Sequence, residues 1–161
     1  MAIINAIVGQ QISAKAQATV WNRMIEKFKP FTPETINSAT AEELQTCGIS
    51  MRKALCIKGI AKLIVDGDLN LTQLYDLPDE EVCKRLSQIK GIGTWTAEML
   101  MIFSMQRMDI LSWGDLAIHR GLRILYRHRK ITPKLFNKYK RRYSPYATVA
   151  SLYLWEIFVK L

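Results

Sequence analysis

Apolar residues recur along most of this chain at the three- and four-residue spacing of an amphipathic helix. Within residues 51–65, for example, the helical pattern is formed by the apolar residues Ala54, Leu55, Ile57, Ala61, Leu63 and Ile64. No segment of useful length alternates apolar and polar residues as a half-buried strand does. The pattern therefore predicts an all-α protein. Its predicted helices cover approximately residues 2–8, 13–28, 40–48, 51–65, 78–89, 96–105, 115–126, 132–142 and 144–161.

Several of these helices begin at recognisable capping residues. Thr40 and Glu43 have the spacing of a capping box. Residues 132–133 and 144–145 each place a hydroxyl before a proline, so we predict that both hydroxyls cap helices with proline in the first turn. Residues 96–105 are almost wholly apolar, which predicts a buried helix.

Composition limits the class of protein. With 161 residues, of which 49% are hydrophobic, the chain is long enough for one domain or two small lobes with a buried core. The net charge of +9 favours a polyanionic partner, although many basic proteins bind no nucleic acid.

The three cysteines lack metal-ligand spacing, which favours a reducing, cytoplasmic setting over a disulfide framework. No apolar run reaches the roughly 18 residues of a membrane span, so we expect no membrane association.

A glycine turn and a single acid are the candidate functional features. Gly91 and Gly93 both allow positive φ, and the helix that follows them would present free N–H groups to an anion such as phosphate. Asp115 follows Gly93 by twenty-two residues and stands at a predicted helix start in a cation-rich segment. Taken alone, such a turn is more often an ordinary connection between helices, and such an acid is often only an N-cap.

The combination resembles a known family. Residues 86–97 resemble the helix-hairpin-helix of base-excision DNA glycosylases, and residues 115–121 resemble the segment that bears their essential aspartate. Residues 9–13 and 44–54 are similar to signatures of the alkylated-base branch, the 3-methyladenine DNA glycosylase II type. The resemblance implies the helix-hairpin-helix glycosylase (HhH-GPD) fold over residues 1–161. That fold has two helical lobes, a cleft between them and, in this chain, the hairpin at about residues 80–105.

The same resemblance implies roles for individual residues. Asp115 would be the catalytic carboxylate, and its place at a helix start favours the ionised form. Gln11 would be the wedge that fills the gap left by a flipped nucleotide. The pocket for the damaged base would be formed by Trp95, Met99 and Tyr146. The DNA contacts would come from Gln11, Ser13, Lys15, Lys90, Gly91, Ile92, Gly93 and Thr94.

Trp95 implies a monofunctional enzyme. Relatives that also cleave the strand carry a lysine nucleophile at this position, and tryptophan cannot form a Schiff base. An aromatic wall would instead stack on a cationic, alkylated base. Tyr146 stands where relatives often have tryptophan, and Met99 stands where they can have an aromatic residue. These departures leave the preferred alkylated base open.

The resemblance also implies what the protein works with. The partner would be double-stranded DNA containing damaged bases, and we expect a monomer. No cofactor and no protein-bound metal are implied, although a monovalent cation at the hairpin is compatible with the family. The location would be the cytoplasm of a bacterium or archaeon, or the nucleus of a eukaryote. Because the chain begins close to residues 10–11, we expect it to lack an N-terminal segment of the family.

Two other functions remain open from the residues alone. The first is a non-catalytic helix-hairpin-helix DNA-binding module in which Asp115 is purely a cap. The second is an all-α protein-interaction domain whose basic surface is incidental. Trp95 as a core residue, Gln11 as a solvated loop amide and the basic run at 134–142 as a solvated helix face are the corresponding structural interpretations.

Overall fold

A computed structural model describes residues 2–159, and regular structure within them is entirely helical. The all-α prediction is confirmed. The ten α-helices are α1 (Ala2–Gly9), α2 (Ala14–Lys27), α3 (Pro33–Ser38), α4 (Ala41–Gln45), α5 (Met51–Val65), α6 (Asp79–Ser87), α7 (Thr94–Phe103), α8 (Leu116–Leu125), α9 (Pro133–Tyr143) and α10 (Ala147–Val159). A short 3-10 helix covers Gln73–Asp76.

The chain divides into two compact units, Met1–Thr96 and Ala97–Leu161. In the first unit, α5 packs against α1, α3 and α4, and α1 also packs against α2. Helix α5 has this central place because Ala54, Ile57 and Ala61, three of its predicted apolar residues, are fully buried. Leu55, another residue of that pattern, is 58% exposed.

In the second unit, α10 packs against both α8 and α9. The apolar positions of the three helices and of the segments beside them form one buried cluster. Its members are Leu111, Ile118, Leu122, Ile131, Phe136, Tyr139, Ala147 and Leu154. This cluster fixes the start of α8, where Asp115 lies, against the body of α10.

Most of the helix caps predicted from the sequence form in the structure, and one does not. The capping box of Thr40 and Glu43 forms, and Thr132 caps α9 with Pro133 in the first turn. The prediction for Ser144 is wrong. Its hydroxyl donates to Oδ2 of Asp109 at 2.6 Å, and α10 begins only at Ala147, whose N–H donates to Oδ1 of Asp109 at 3.2 Å. An acid distant in sequence therefore takes the capping role from the local hydroxyl.

Two further helices differ from the sequence prediction. Helix α3 was not predicted, because its six residues bury only Ile36 and so carry no periodic signal. Helix α7 is apolar but not wholly buried, since Phe103 is 63% exposed. An apolar composition alone therefore overstated the burial of α7.

Candidate active site

The turn between α6 and α7 depends on glycine at position 91. Gly91 has φ +94°, in the region that only glycine adopts readily. A Cβ atom there would lie 2.4 Å from Sγ of Cys56, a contact too short to exist. The Cys56 thiol also donates to the carbonyl of Lys90 at 3.0 Å. The turn is therefore packed directly onto α5.

Gly93 differs from Gly91. The predicted positive φ is found at Gly91 but not at Gly93. A Cβ atom at Gly93 would meet no protein atom within 4 Å. The backbone here faces open space at the start of α7, where N–H groups of a first helical turn have no intrahelical acceptor. Gly93 therefore leaves this space open, as the predicted phosphate contact requires.

The other hairpin residues differ in how far their side chains are exposed to solvent. Lys90 and Thr94 are exposed. Ile92 is buried, and its N–H donates to the carbonyl of Ile89 at 2.9 Å. The N–H and the side chain of Ile92 are therefore both engaged within the protein, and the side chain anchors the turn in the first unit.

A set of hydrogen bonds that the sequence does not predict joins the loop at residues 9–13 to the hairpin. Nε2 of Gln10 donates to the carbonyl of Gly91 at 3.3 Å and to Oγ1 of Thr96 at 3.1 Å. Nζ of Lys53 donates to the carbonyls of Val8 at 2.9 Å and Gln10 at 2.6 Å, and burial lowers the pKa of this ammonium group. Gln10 thus supports the hairpin from inside the unit, beside the predicted wedge.

Gln11, the predicted wedge, has a strained backbone conformation. Gln11 has φ +59° and an exposed side chain. Non-glycine residues rarely adopt this region, and such strain is typical of functional loops. Ser13 caps α2 by accepting from the N–H of Ala16 at 3.3 Å, and Lys15 is exposed one residue into that helix. These three residues are accessible to DNA, so their predicted roles are compatible with the structure.

We expect alanine at the two turn glycines to have different effects. Gly93→Ala should leave the thermal unfolding midpoint unchanged but lower duplex DNA affinity by roughly tenfold, because the new methyl group occupies the space open to a phosphate. Gly91→Ala should destabilise the protein by about 1–3 kcal/mol through positive φ and the clash with Cys56. Thermal unfolding and DNA titration of both variants check this. Equal DNA affinity of Gly93→Ala and wild type would contradict a phosphate site at the turn.

Asp115 lies in the second unit and is held by at least three donors. It is only 7% exposed. Oδ1 accepts the N–H groups of Ala117 at 2.8 Å and Ile118 at 3.1 Å, which makes Asp115 the N-cap of α8 as predicted. Oδ2 accepts Nε1–H of Trp155 at 3.1 Å. One oxygen therefore caps the helix, and the other is oriented by an indole.

Trp155 is the most important residue that sequence reasoning missed. It lies on α10, forty positions from Asp115, and packs against the core cluster of the second unit. Its ring stacks on Phe103 with centroids 5.8 Å apart. No local motif distinguishes this tryptophan from an ordinary apolar position of α10, so only the tertiary structure identifies its partner.

A second carboxylate lies near the same segment. Glu98 on α7 accepts a hydrogen bond from the hydroxyl of Ser112, which is buried. The carbonyl of Ser112 in turn accepts the N–H of Asp115 at 3.5 Å. Burial raises the pKa of Glu98, and the charge of Asp115 adds to this, while the Ser112 bond and Lys140 oppose it. Glu98 thus positions the turn that precedes Asp115.

The three predicted pocket residues are accessible to different degrees. Trp95, in the first unit, is 43% exposed, so it is not a buried core tryptophan. In the second unit, Met99 is half-buried and Tyr146 is 60% exposed. The sequence predicts Tyr146 inside the last helix. In the structure Tyr146 precedes α10, because Asp109 caps a helix that begins at Ala147.

Residues 2–159 contain neither a metal-binding cluster nor a membrane-spanning helix. Within residues 2–159, no group of three or more His, Cys, Asp and Glu side chains is arranged to hold a metal ion. Over the same range, no helix is both long and apolar enough to cross a lipid bilayer.

Comparison with known proteins agrees with the fold and the motifs. Residues 4–145 match the family model for HhH-GPD superfamily base excision DNA repair proteins. DNA-3-methyladenine glycosylase 1 of Schizosaccharomyces pombe is 39% identical over 96% of this chain and 70% of its own length. DNA-3-methyladenine glycosylase 2 of Escherichia coli is 27% identical over 94% of this chain, which spans only 55% of that relative.

Solved structures give the same answer. The S. pombe 3-methyladenine DNA glycosylase in complex with abasic DNA superposes with a TM-score of 0.83 and 36% identity, covering 96% of this chain and 78% of that one. A DNA-3-methyladenine glycosidase from Bacillus halodurans superposes with a TM-score of 0.85 and 36% identity, covering 98% and 74%. The chain therefore belongs to the HhH-GPD superfamily of base excision DNA repair proteins, in the branch of the DNA-3-methyladenine glycosylases.

Proposed function

We propose that this protein is a monofunctional DNA glycosylase that hydrolyses the N-glycosidic bond of alkylated purines, such as 3-methyladenine, in duplex DNA. The observation that carries the proposal is the setting of Asp115. A carboxylate that is 7% exposed is oriented by two backbone N–H groups and one indole N–H, in the segment that resembles the catalytic segment of the family.

Asp115 acts at the sugar. As the bond between C1′ and the base nitrogen breaks, its electron pair leaves with the base, and positive charge develops on the sugar ring. A fixed carboxylate stabilises that charge without having to reorganise. Water then adds to C1′ and loses a proton to Asp115 or to solvent. An alkylated purine that already carries positive charge leaves as a neutral base, so the chemistry needs no strong general acid.

Trp95 selects the base and excludes strand cleavage. Its indole, which is 43% exposed, stacks on a cationic base, an interaction worth about 0.5–2 kcal/mol. Tyr146 and Met99 contribute further contacts. Because an indole cannot form a Schiff base with the sugar, the reaction ends at an abasic site.

DNA is held by the hairpin and by the 9–13 loop. Gly91, Gly93 and Thr94 contact phosphate through the backbone, and Lys90 and Lys15 add charge. Gln11 fills the gap left by the flipped nucleotide. The protein works as a monomer without a cofactor, in the cytoplasm of a prokaryote or the nucleus of a eukaryote.

An end-labelled duplex with one alkylated purine tests the proposal. The labelled strand should stay intact during incubation with the protein and should break at the lesion only after alkali treatment, which cleaves abasic sites. Breakage without alkali would contradict the role given to Trp95. An intact strand after alkali would favour the non-catalytic DNA-binding module.

Trp155→Phe removes the indole donor but keeps an aromatic ring against Phe103. A hydrogen bond to a charged group is worth about 1.5–3 kcal/mol, so losing it should lower the single-turnover excision rate by about tenfold or more. Affinity for DNA should not change, because the indole N–H of Trp155 is engaged by Asp115 within the protein. Excision rates at saturating protein, measured beside DNA titrations, check both statements.

Tyr153→Phe is the matched control for that substitution. Tyr153 lies on the same helix, is exposed, and also loses one polar hydrogen-bonding group. It should excise at the wild-type rate. A Trp155→Phe protein as fast as this control would show that the indole bond does not position Asp115.

A further inference from the structure

The positive charge of this chain is concentrated in one segment. Residues 116–155 contain ten lysines and arginines and neither Asp nor Glu. The remainder of the chain, with thirteen lysines and arginines against fourteen acids, is close to neutral. The net charge of +9 therefore comes from α8, α9 and the segments that flank them.

Helix α9 arranges part of this charge on its outward face. Phe136 and Tyr139 are buried against the core. Lys134, Lys138 and Arg141 are exposed and follow the i, i+4, i+7 spacing that lines up one face of a helix, opposite the buried pair. We call these three residues the basic stripe. At 1.5 Å per residue the stripe extends about 10 Å along the helix.

None of the three cations is neutralised within residues 2–159. Three salt bridges of the described residues, Lys29–Glu26, Lys62–Asp66 and Arg85–Glu81, lie in the first unit, and none of them involves the stripe. Neighbouring like charges repel and destabilise the folded chain. Asp109 lines a surface pocket together with Arg141, but its two oxygens accept from Ser144 and Ala147. A stripe of three cations that forms no salt bridge within the described part of the chain is explained best by a polyanion outside the protein.

We propose that the basic stripe contacts the phosphate backbone of duplex DNA, in addition to the hairpin. This inference rests on the proposed function only for the choice of DNA as the polyanion. Each strand of a duplex presents one phosphate per about 3.4 Å of axis, so a stripe of about 10 Å is long enough to meet two or three phosphates. The exposed amide of Asn137 lies on the same face and adds a neutral donor. Such contacts carry charge but no base preference.

The test is the salt dependence of binding by a variant in which Lys134, Lys138 and Arg141 are all replaced by Gln. Each lost phosphate contact should make the slope of log affinity against log salt shallower by about 0.9, so a change of about two to three is expected. Affinity for undamaged and alkylated duplexes should fall by the same factor, roughly tenfold at moderate salt. Single-turnover excision at saturating protein should stay at the wild-type rate.

The control variant removes the same charge elsewhere, by replacing Arg23, Lys29 and Lys62 with Gln. These residues are exposed and lie in the first unit. Equal salt slopes for the stripe and control variants would overturn the proposal, since net charge alone would then explain the effect. If the wild type releases no base but the slopes still differ as expected, the glycosylase function fails while the basic stripe stands.

Discussion

Asp115→Asn should abolish release of methylated purine while leaving affinity for duplex DNA nearly unchanged. Asparagine keeps one oxygen for the N–H groups of Ala117 and Ile118. Its amide nitrogen cannot accept from Nε1–H of Trp155, and it carries no charge to stabilise the developing sugar cation. We expect the single-turnover rate to fall by at least about 1,000-fold, equivalent to about 4 kcal/mol. Base release and DNA titration on the same preparations measure the two effects separately.

Asp109 provides a matched control within the same unit. It too is a carboxylate that caps a helix, accepting from Ser144 and from the N–H of Ala147. Asp109→Asn keeps that cap, because its amide oxygen can accept from Ala147 and its amide N–H can donate to the Ser144 hydroxyl. It should excise at close to the wild-type rate. Equal loss of activity in both variants would mean that Asp115 acts only as a cap.

Gly121→Ala should give the largest loss of stability from a single methyl group. A Cβ atom at Gly121 on α8 would lie 2.6 Å from the carbonyl oxygen of Leu154 and 3.0 Å from its Cβ, and backbone cannot move aside cheaply. We expect a loss of about 2–3 kcal/mol, which lowers the unfolding midpoint by about 4–12 °C. Thermal unfolding checks this. Because Trp155 follows Leu154, excision should decline as well.

Gly59→Ala is the control for the glycine substitution. Gly59 lies within α5, and a Cβ atom there would meet nothing within 4 Å. The same change should therefore stabilise the protein by about 0.4–1 kcal/mol, since alanine loses less backbone entropy on folding. A Gly121→Ala protein as stable as wild type would contradict the close approach of α8 and α10.

Most of the helices could be predicted from residues that lie close together in the sequence. The Thr40 capping box and the apolar face of α5 depend only on residues within a few positions of one another, so they could be predicted. The same holds for the N-cap at Asp115, since a capping oxygen needs only the next two or three N–H groups. Family resemblance added the role of that carboxylate, which no local pattern contains.

What could not be predicted depends on contacts between distant residues. The indole of Trp155 meets Asp115 across forty positions, and Gln10 meets Gly91 across eighty-one. Asp109 displaced the predicted cap at Ser144 from thirty-five positions away. Hydrophobic periodicity and motif spacing describe individual helices. The hydrogen bonds between distant residues depend instead on how the helices pack against one another within each unit.

Mass analysis of the bases freed from methylated duplex DNA tests the central claim most directly. The wild type should release methylated purine, and Asp115→Asn should release none while still binding the same duplex. Absence of free base from the wild type, or undiminished release by Asp115→Asn, would contradict the assignment of Asp115 as the catalytic carboxylate of a glycosylase.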